Sequence, residues 1–416
     1  MPAFLLLCLL VLAACTAAEP LPTATPAAEP PPVAPLPPPA LGTPPPVGPS
    51  PVANPGLPTQ TSRPLAPASP AGPALPGEEQ LAADLQALLD DWLADSGAPG
   101  AVLGLRLADG RTVVAAAGQT DDAGGLPIEA EHRFRIGSIT KTFVAVLLVQ
   151  LAEEGSLRLD DPLATYLDWA PHGERVTLRQ LLAHTSGMPD FALEADYRQQ
   201  LLADPGRSWT PRETVELVSQ RDLLFEPGSR WSYSNTNYVL AGLVAEAVTG
   251  AELATLLRER VAMPPGLTAT YLEGLEEAPP IETAGHFDLD GDGRAENVRF
   301  IPYTALVTSG AAAGGLSSTA RDVLALAGSL ADGQLLSRTG LEQLTAASEA
   351  SPAYGLGLTL FERGGRRFWG HAGALPGYSA LVAHAHAERV SAVALANQSG
   401  VDVQGLLEDA FALLGD

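Results

Sequence analysis

The sequence predicts an α+β fold: one antiparallel sheet flanked by N- and C-terminal helices, with an inserted helical region. Three observations predict it. Strand-like runs lie early, at Ala101–Leu107 and Thr112–Ala117, and return after residue 354. The chain between about 137 and 350 reads as mainly helical with long loops. An apolar helix stands outside the strand runs at each end.

The elements follow in order. Glu79–Ala94 carries Leu81, Leu85, Leu88, Leu89 and Trp92 at helical spacing, the signature of an amphipathic helix. Ser96-Gly97-Ala98-Pro99-Gly100 stops it. The first two strand runs flank Ala108-Asp109-Gly110-Arg111, and Asp-Gly between apolar runs signals a hairpin. Gly137–Glu154 is apolar on nearly every side, which predicts a buried helix. Asn237–Val248 and Ala320–Leu330 are further helices, the first with Asn237 placed to cap it. Tyr354–Phe361, Arg366–His371, Tyr378–His386 and Val390–Asn397 read as strands, with a turn at Arg363-Gly364-Gly365. Val401–Leu414 is the last helix. The two ends of the folded part therefore close one sheet, and no internal repeat is visible.

The N-terminal part is built differently. Ala3–Ala14 is an apolar run too short to span a bilayer and suited to a signal segment. It ends in Leu12-Ala13-Ala14-Cys15, which resembles the lipobox of bacterial lipoproteins. That resemblance implies lipidation of Cys15, a membrane tethered through that lipid, and an extracytoplasmic location. No Lys or Arg precedes the run, and an ordinary cleaved signal is the alternative. Residues 16–78 hold 22 of the 38 prolines. Such a stretch cannot bury enough apolar surface to offset its ordering entropy. It is read as a disordered polyproline tether reaching roughly 195 Å at ~3.1 Å per residue when fully extended. The domain assignment is thus 1–15 signal, 16–78 tether and 79–416 folded domain.

Charge and cysteine content narrow the function. The formal net charge is −24, with no basic stripe to neutralise phosphates, so nucleic acid is excluded as a partner. Both cysteines, Cys8 and Cys15, precede the folded domain. That domain therefore has neither a disulfide nor a cysteine metal site. Among 24 basic residues a single one is lysine, Lys141. Arginine cannot be deprotonated, whereas a buried lysine can be driven neutral and act as a base. A lone lysine in an arginine-rich chain points to a position where arginine fails.

Its neighbours carry the chemistry. In Ser138-Ile139-Thr140-Lys141 the serine and lysine are three apart, and on a helix such side chains share a face with Cβ atoms ~5–6 Å apart. The serine sits at the helix start, where free N–H groups favour negative charge. The apolar helix desolvates Lys141 and favours its neutral form, and a neutral amine beside a hydroxyl activates a nucleophile. In Tyr233-Ser234-Asn235 an extended backbone points Tyr233 and Asn235 the same way. The phenol can shuttle a proton and the amide can orient a substrate carbonyl. His371-Ala372-Gly373-Ala374 ends a strand, and Gly373 there permits close backbone approach.

Together these motifs, in this order, resemble the serine beta-lactamase and DD-peptidase superfamily, whose penicillin-binding members use the same serine–lysine pattern. The resemblance covers residues 79–416 and extends to Leu181–Gly187, Gly310–Thr319 and Tyr354–Leu358. It is nearest to class C beta-lactamase-like hydrolases and D-alanyl-D-alanine carboxypeptidases. It implies a beta-lactamase/transpeptidase-like fold, acylation of Ser138, and proton transfer by Lys141 and Tyr233. It further implies substrate binding by Asn235, His371, Gly373 and Ala374, with the backbone N–H groups of Ser138 and Ala374 as the oxyanion hole. No cofactor is expected. The implied substrate is a small peptide of the cell wall. An ester or a beta-lactam turned over by the same machinery is the alternative, as is a penicillin-binding sensor that acylates and stops. Two departures stand out: His371 replaces the usual lysine, as in some D-alanyl-D-alanine carboxypeptidase-like members, and Ala372 stands where those members often place a hydroxyl that helps hold the substrate carboxylate.

Two other motifs compete for roles. His184-Thr185-Ser186-Gly187 reads as helix-stop chemistry. Asp288, Asp290 and Asp292 with Gly293 match the first half of a calcium loop, but Arg299 stands where a bidentate glutamate belongs. The expectation there is a solvated turn without metal.

Overall fold

The structure is a computed structural model that describes residues 77–122 and 124–414. The signal segment, Cys15 and the tether as far as residue 76 lie outside the described residues. Helix α1 spans Glu78–Ser96, and strands β1 (Gly100–Arg106) and β2 (Thr112–Gly118) form the hairpin expected around Asp109-Gly110. At the other end come β3 (Thr359–Arg363), β4 (Arg366–Leu375), β5 (Tyr378–Ala385) and β6 (Val390–Ala396), then a C-terminal helix, Val403–Ala412. The six strands form one antiparallel sheet in the order β2-β1-β6-β5-β4-β3. The first and last strands pair directly, Leu103 opposite Ala394, so the two ends of the folded part close the sheet as expected.

Strand alternation sends successive side chains to opposite faces. Leu103 and Leu105 pack with Leu85, Leu89, Leu406 and Phe411 under the two terminal helices. Val102 faces the other way, into the large core shared with the inserted helical region. Burying each such leucine contributes about 1.5–3 kcal/mol. The centre of that region is α2 (Thr140–Glu153), which buries Lys141 and Phe143 through Val149 without interruption. Helix α3 (Leu178–Leu182) lies beside α4 (Asn235–Thr249); α4 and α5 (Thr304–Gly314) pack against α2, while α6 (Ala320–Ala331) packs on the sheet.

Three local expectations are corrected. Tyr354–Phe361 is not one strand, because only Thr359 onward joins the sheet. Tyr354–Leu358 instead turns against α2, with Gly357 in the left-handed region at φ 71° and its carbonyl accepting a hydrogen bond from Thr142 Oγ1 at 2.8 Å. The strand bearing His371 does not stop there but runs on to Leu375. Finally, α4 begins at Asn235, since Ser234 is the last extended residue (φ −148°). Asn237 therefore lies inside the helix and caps nothing. Its side chain meets Ser186 Oγ at 2.6 Å and His184 Nδ1 at 3.1 Å.

Candidate active site

The site forms where α2 begins. A single 3-10 turn, Gly137–Ile139, leads into the helix and leaves Ser138 partly exposed at its mouth, while Lys141, one turn on, is fully buried. Strand β4 pairs with β3 only as far as Gly370. Past that point the turn at Ile136–Ser138 packs backbone to backbone against it. A Cβ added at Gly373 would fall 1.9 Å from the carbonyl oxygen of Ile136, and one at Gly137 would fall 2.7 Å from the amide nitrogen of Ala374. Glycine is needed at both positions for this approach. The contact brings the backbone around Ser138 close to that of Ala374.

Ser138, Lys141 and Tyr233 converge. Lys141 Nζ donates to Ser138 Oγ at 3.0 Å, to Asn235 Oδ1 at 2.9 Å and to the carbonyl of Ala313 at 2.6 Å. Three acceptors satisfy an ammonium. A neutral amine is equally satisfied: it keeps two N–H groups for Asn235 and Ala313 and turns its lone pair to the Ser138 hydroxyl. The lysine can therefore change protonation state without losing a partner. Tyr233 Oη donates to Ser138 Oγ from 2.7 Å, and its ring centroid lies 4.8 Å from the lysine nitrogen. The serine oxygen thus touches two groups able to take its proton once either has shed one.

Asn235 is engaged at both ends of its amide. While Oδ1 accepts from Lys141, Nδ2 donates to Asp190 Oδ2 at 2.9 Å. In this arrangement it positions the lysine. Asp190, invisible to the motif reading, is buried, and burial lifts its carboxyl to about 6 against the opposing pull of the Ala192 amide, the Lys141 charge and Asn235. A charged residue between Pro189 and Phe191 in an apolar segment was the only sequence signal for it, and nothing in that signal names its partner.

His371 is buried as well. Its Nε2 meets Tyr354 Oη at 2.8 Å and its Nδ1 the carbonyl of Ala372 at 2.5 Å. Both ring nitrogens are engaged. Burial chiefly, with the nearby Lys141 charge second, lowers it to about 3, so the ring is neutral at physiological pH. Ala372 is exposed and offers no hydroxyl. His184 ends α3 as the stop motif predicts, at φ 57°, and has a further part: its ring packs on that of Tyr233, centroids 4.3 Å apart. Its Nδ1 accepts from the Ser234 amide at 3.2 Å, and burial holds it well below the usual histidine range. Asp288, Asp290 and Asp292 share one turn, where Asp288 and Asp292 accept the loop's own amides, Gly291 and Gly293 on the first and Arg294 on the second.

The fold is that of the serine beta-lactamase and penicillin-recognising superfamily. Residues 82–415 match the family described as Beta-lactamase, and the chain belongs to that family. Among its relatives is a D-aminopeptidase of Brucella anthropi, 31% identical over 327 residues, or 76% of this chain and 58% of that protein. Esterase EstB of Burkholderia gladioli is 33% identical over 230 residues, 53% of this chain and 57% of the esterase. The chain thus spans under two thirds of the length of these curated relatives. Among solved structures, a D-stereospecific amidohydrolase from Streptomyces sp. superimposes with TM-score 0.69 at 32% identity, covering 79% of this chain and 98% of that one. The D-amino acid amidase of Ochrobactrum anthropi SV3 does so with TM-score 0.71 at 27% identity, covering 81% and 100%.

Proposed function

We propose that this chain is an acyl-enzyme hydrolase acting on small amides or esters whose leaving group carries no carboxylate, with D-aminoacyl amides as the leading substrate class. Ser138 Oγ attacks the carbonyl carbon and its proton passes to Lys141 or Tyr233. The backbone N–H groups of Ser138 and Ala374 stabilise the oxyanion. Tyr233, in contact with the serine oxygen, returns a proton to the departing amine or alcohol. Water then attacks the acyl carbon by the reverse relay and frees Ser138.

One observation carries the substrate reading: the place of a substrate-binding cation is held by a neutral, enclosed His371 next to Ala372. A D-alanyl-D-alanine terminus or a penicillin presents a carboxylate there, and neither residue can pair with it. This moves the reading from the carboxypeptidase implied by the motifs toward amidase or esterase chemistry; the relatives' names include a D-aminopeptidase and an esterase, and also penicillin-binding proteins and a D-alanyl-D-alanine carboxypeptidase. The lipobox at Cys15 supports a membrane-anchored, extracytoplasmic placement. Loss of fatty-acid label from the chain in Cys15→Ala would bear that out.

The test is to measure kcat/KM for a D-amino-acid amide, a p-nitrophenyl ester and a D-alanyl-D-alanine peptide, with intact mass after exposure to a penicillin. Amide and ester turnover, lost in Ser138→Ala, with the peptide at least about a hundredfold slower, is the expected result. Preference for the peptide, or a stable penicillin adduct on Ser138, would return the protein to the carboxypeptidase or sensor reading.

A further inference from the structure

Away from the serine site, three distant segments bring Asp121, Asp122 and His286 together. Their ligand-type atoms all lie within 4.8 Å of one another. His286 is 1% exposed. Its Nδ1 faces the Asn397 carbonyl at 3.1 Å, an acceptor that requires the proton on that nitrogen. Nε2 then faces Asp122. That atom is buried and makes no hydrogen bond of good geometry, though it lies 3.1 Å from Asp122 Oδ1 and helps hold that carboxyl below its usual range. An imidazole fixed through its second nitrogen by a backbone carbonyl is how metal-bound histidines are oriented.

The carboxylates are oriented too. Asn297 Nδ2 donates to Asp121 Oδ1 at 2.8 Å and to Asp122 Oδ1 at 3.3 Å. The Arg299 amide holds the amide oxygen of Asn297 at 2.9 Å and so fixes which end faces the acids. Arg299 Nε approaches Asp121 Oδ2 at 3.6 Å. Asp122 is half exposed, so an ion can enter from solvent.

We propose that Asp121, Asp122 and His286 form a binding site for a first-row divalent cation of the zinc, cobalt or manganese kind. One imidazole nitrogen with two carboxylates suits these ions, whereas calcium takes oxygen donors. An ion ~2.1 Å from each donor draws the three together with small side-chain rotations. Its role is structural. The His286 amide donates to Asn397 O at 2.9 Å and Gly377 O at 3.3 Å, so the ion ties the loop after β2 to the β4–β5 turn and the end of β6. The neighbouring Asp288–Asp292 turn is a separate cluster, and its acids accept their own loop's amides.

The experiment loads the purified chain with Zn²⁺ or Co²⁺, removes excess and counts bound metal by native mass spectrometry. Melting temperature is followed in parallel. One equivalent is expected, with a rise in melting temperature of several degrees. Binding should weaken at least tenfold in Asp122→Asn, a half-exposed position that tolerates the change, and in His286→Gln, but persist in Asp290→Asn. Failure to retain any metal overturns the proposal and leaves His286 and Asp122 as an ion pair. Binding unaffected by Asp122→Asn, or lost in Asp290→Asn, places the ion elsewhere and overturns it equally.

Discussion

The hydroxyl of Tyr233 lies 2.7 Å from that of Ser138, closer than the 3.0 Å between Ser138 and Lys141. Removing that one oxygen isolates its part in proton transfer. Tyr233→Phe keeps the ring packed against His184 and should lower kcat by 10²–10⁴-fold, the usual worth of a positioned acid or base, with KM little changed. Single-turnover acylation kinetics check this, and retention of kcat within threefold counts against the assignment.

Lys141→Arg should abolish acylation. The charge is kept but cannot be shed, and a guanidinium must fit where Asn235, Ala313 and Ser138 converge on one nitrogen. Leaving one of these buried acceptors unmatched costs about 1–3 kcal/mol, so the variant should also melt earlier. Phosphonylation of Ser138 by a fluorophosphonate, followed by mass, reports how far Lys141 activates the nucleophile.

Gly373→Ala places a methyl 1.9 Å from a backbone oxygen, which a rotamer change cannot relieve. The strand must move away from Ile136, separating the Ser138 and Ala374 amides that the proposed mechanism uses for the oxyanion. A misplacement of ~1 Å costs on the order of 10²-fold in rate. The expected outcome is that kcat/KM falls by that factor while the circular dichroism spectrum is unchanged.

Asp190 is raised to about 6 in the folded protein from an ordinary value of 3.8. Between these values the unfolded chain releases a proton that the folded chain keeps, so stability falls as pH rises from about 4 to 6. Asp190→Asn removes that slope. Measured by urea unfolding, the variant should gain on the parent by up to about 3 kcal/mol between pH 4 and 7, and parallel curves would show that Asp190 ionises normally.

His371 works in the opposite direction. Lowered to about 3 from 6.5, it stays neutral while the unfolded chain takes up a proton. Stability should fall as pH drops below 6.5, by up to about 1.4 kcal/mol per pH unit. The same unfolding series on His371→Gln should show a shallower acid limb.

The parts of this molecule that are local in sequence were legible in it. Ser138 and Lys141 are one helical turn apart, and their proximity follows from helix geometry alone. The Asp109-Gly110 hairpin follows from turn chemistry, and closure of one sheet by the two ends follows from strand runs at both ends, though which strands pair does not. What depends on chance meetings of distant segments was not legible. Asp190 reaches Asn235 across 45 positions, and His286 reaches Asp122 across more than three times that distance. The alternating run at Tyr354–Leu358 misled because alternation reports a half-buried extended backbone, and Gly357 bends the chain where that pattern predicts it to run straight.

The solitary lysine also makes this chain a reporter of its own opening. Its α-amine aside, the protein's only primary amine is Lys141 Nζ, enclosed on all sides. An amine-reactive reagent can reach that nitrogen only when α2, α4 and α5 part, so the rate at which label accumulates there clocks their separation at a single, unambiguous atom.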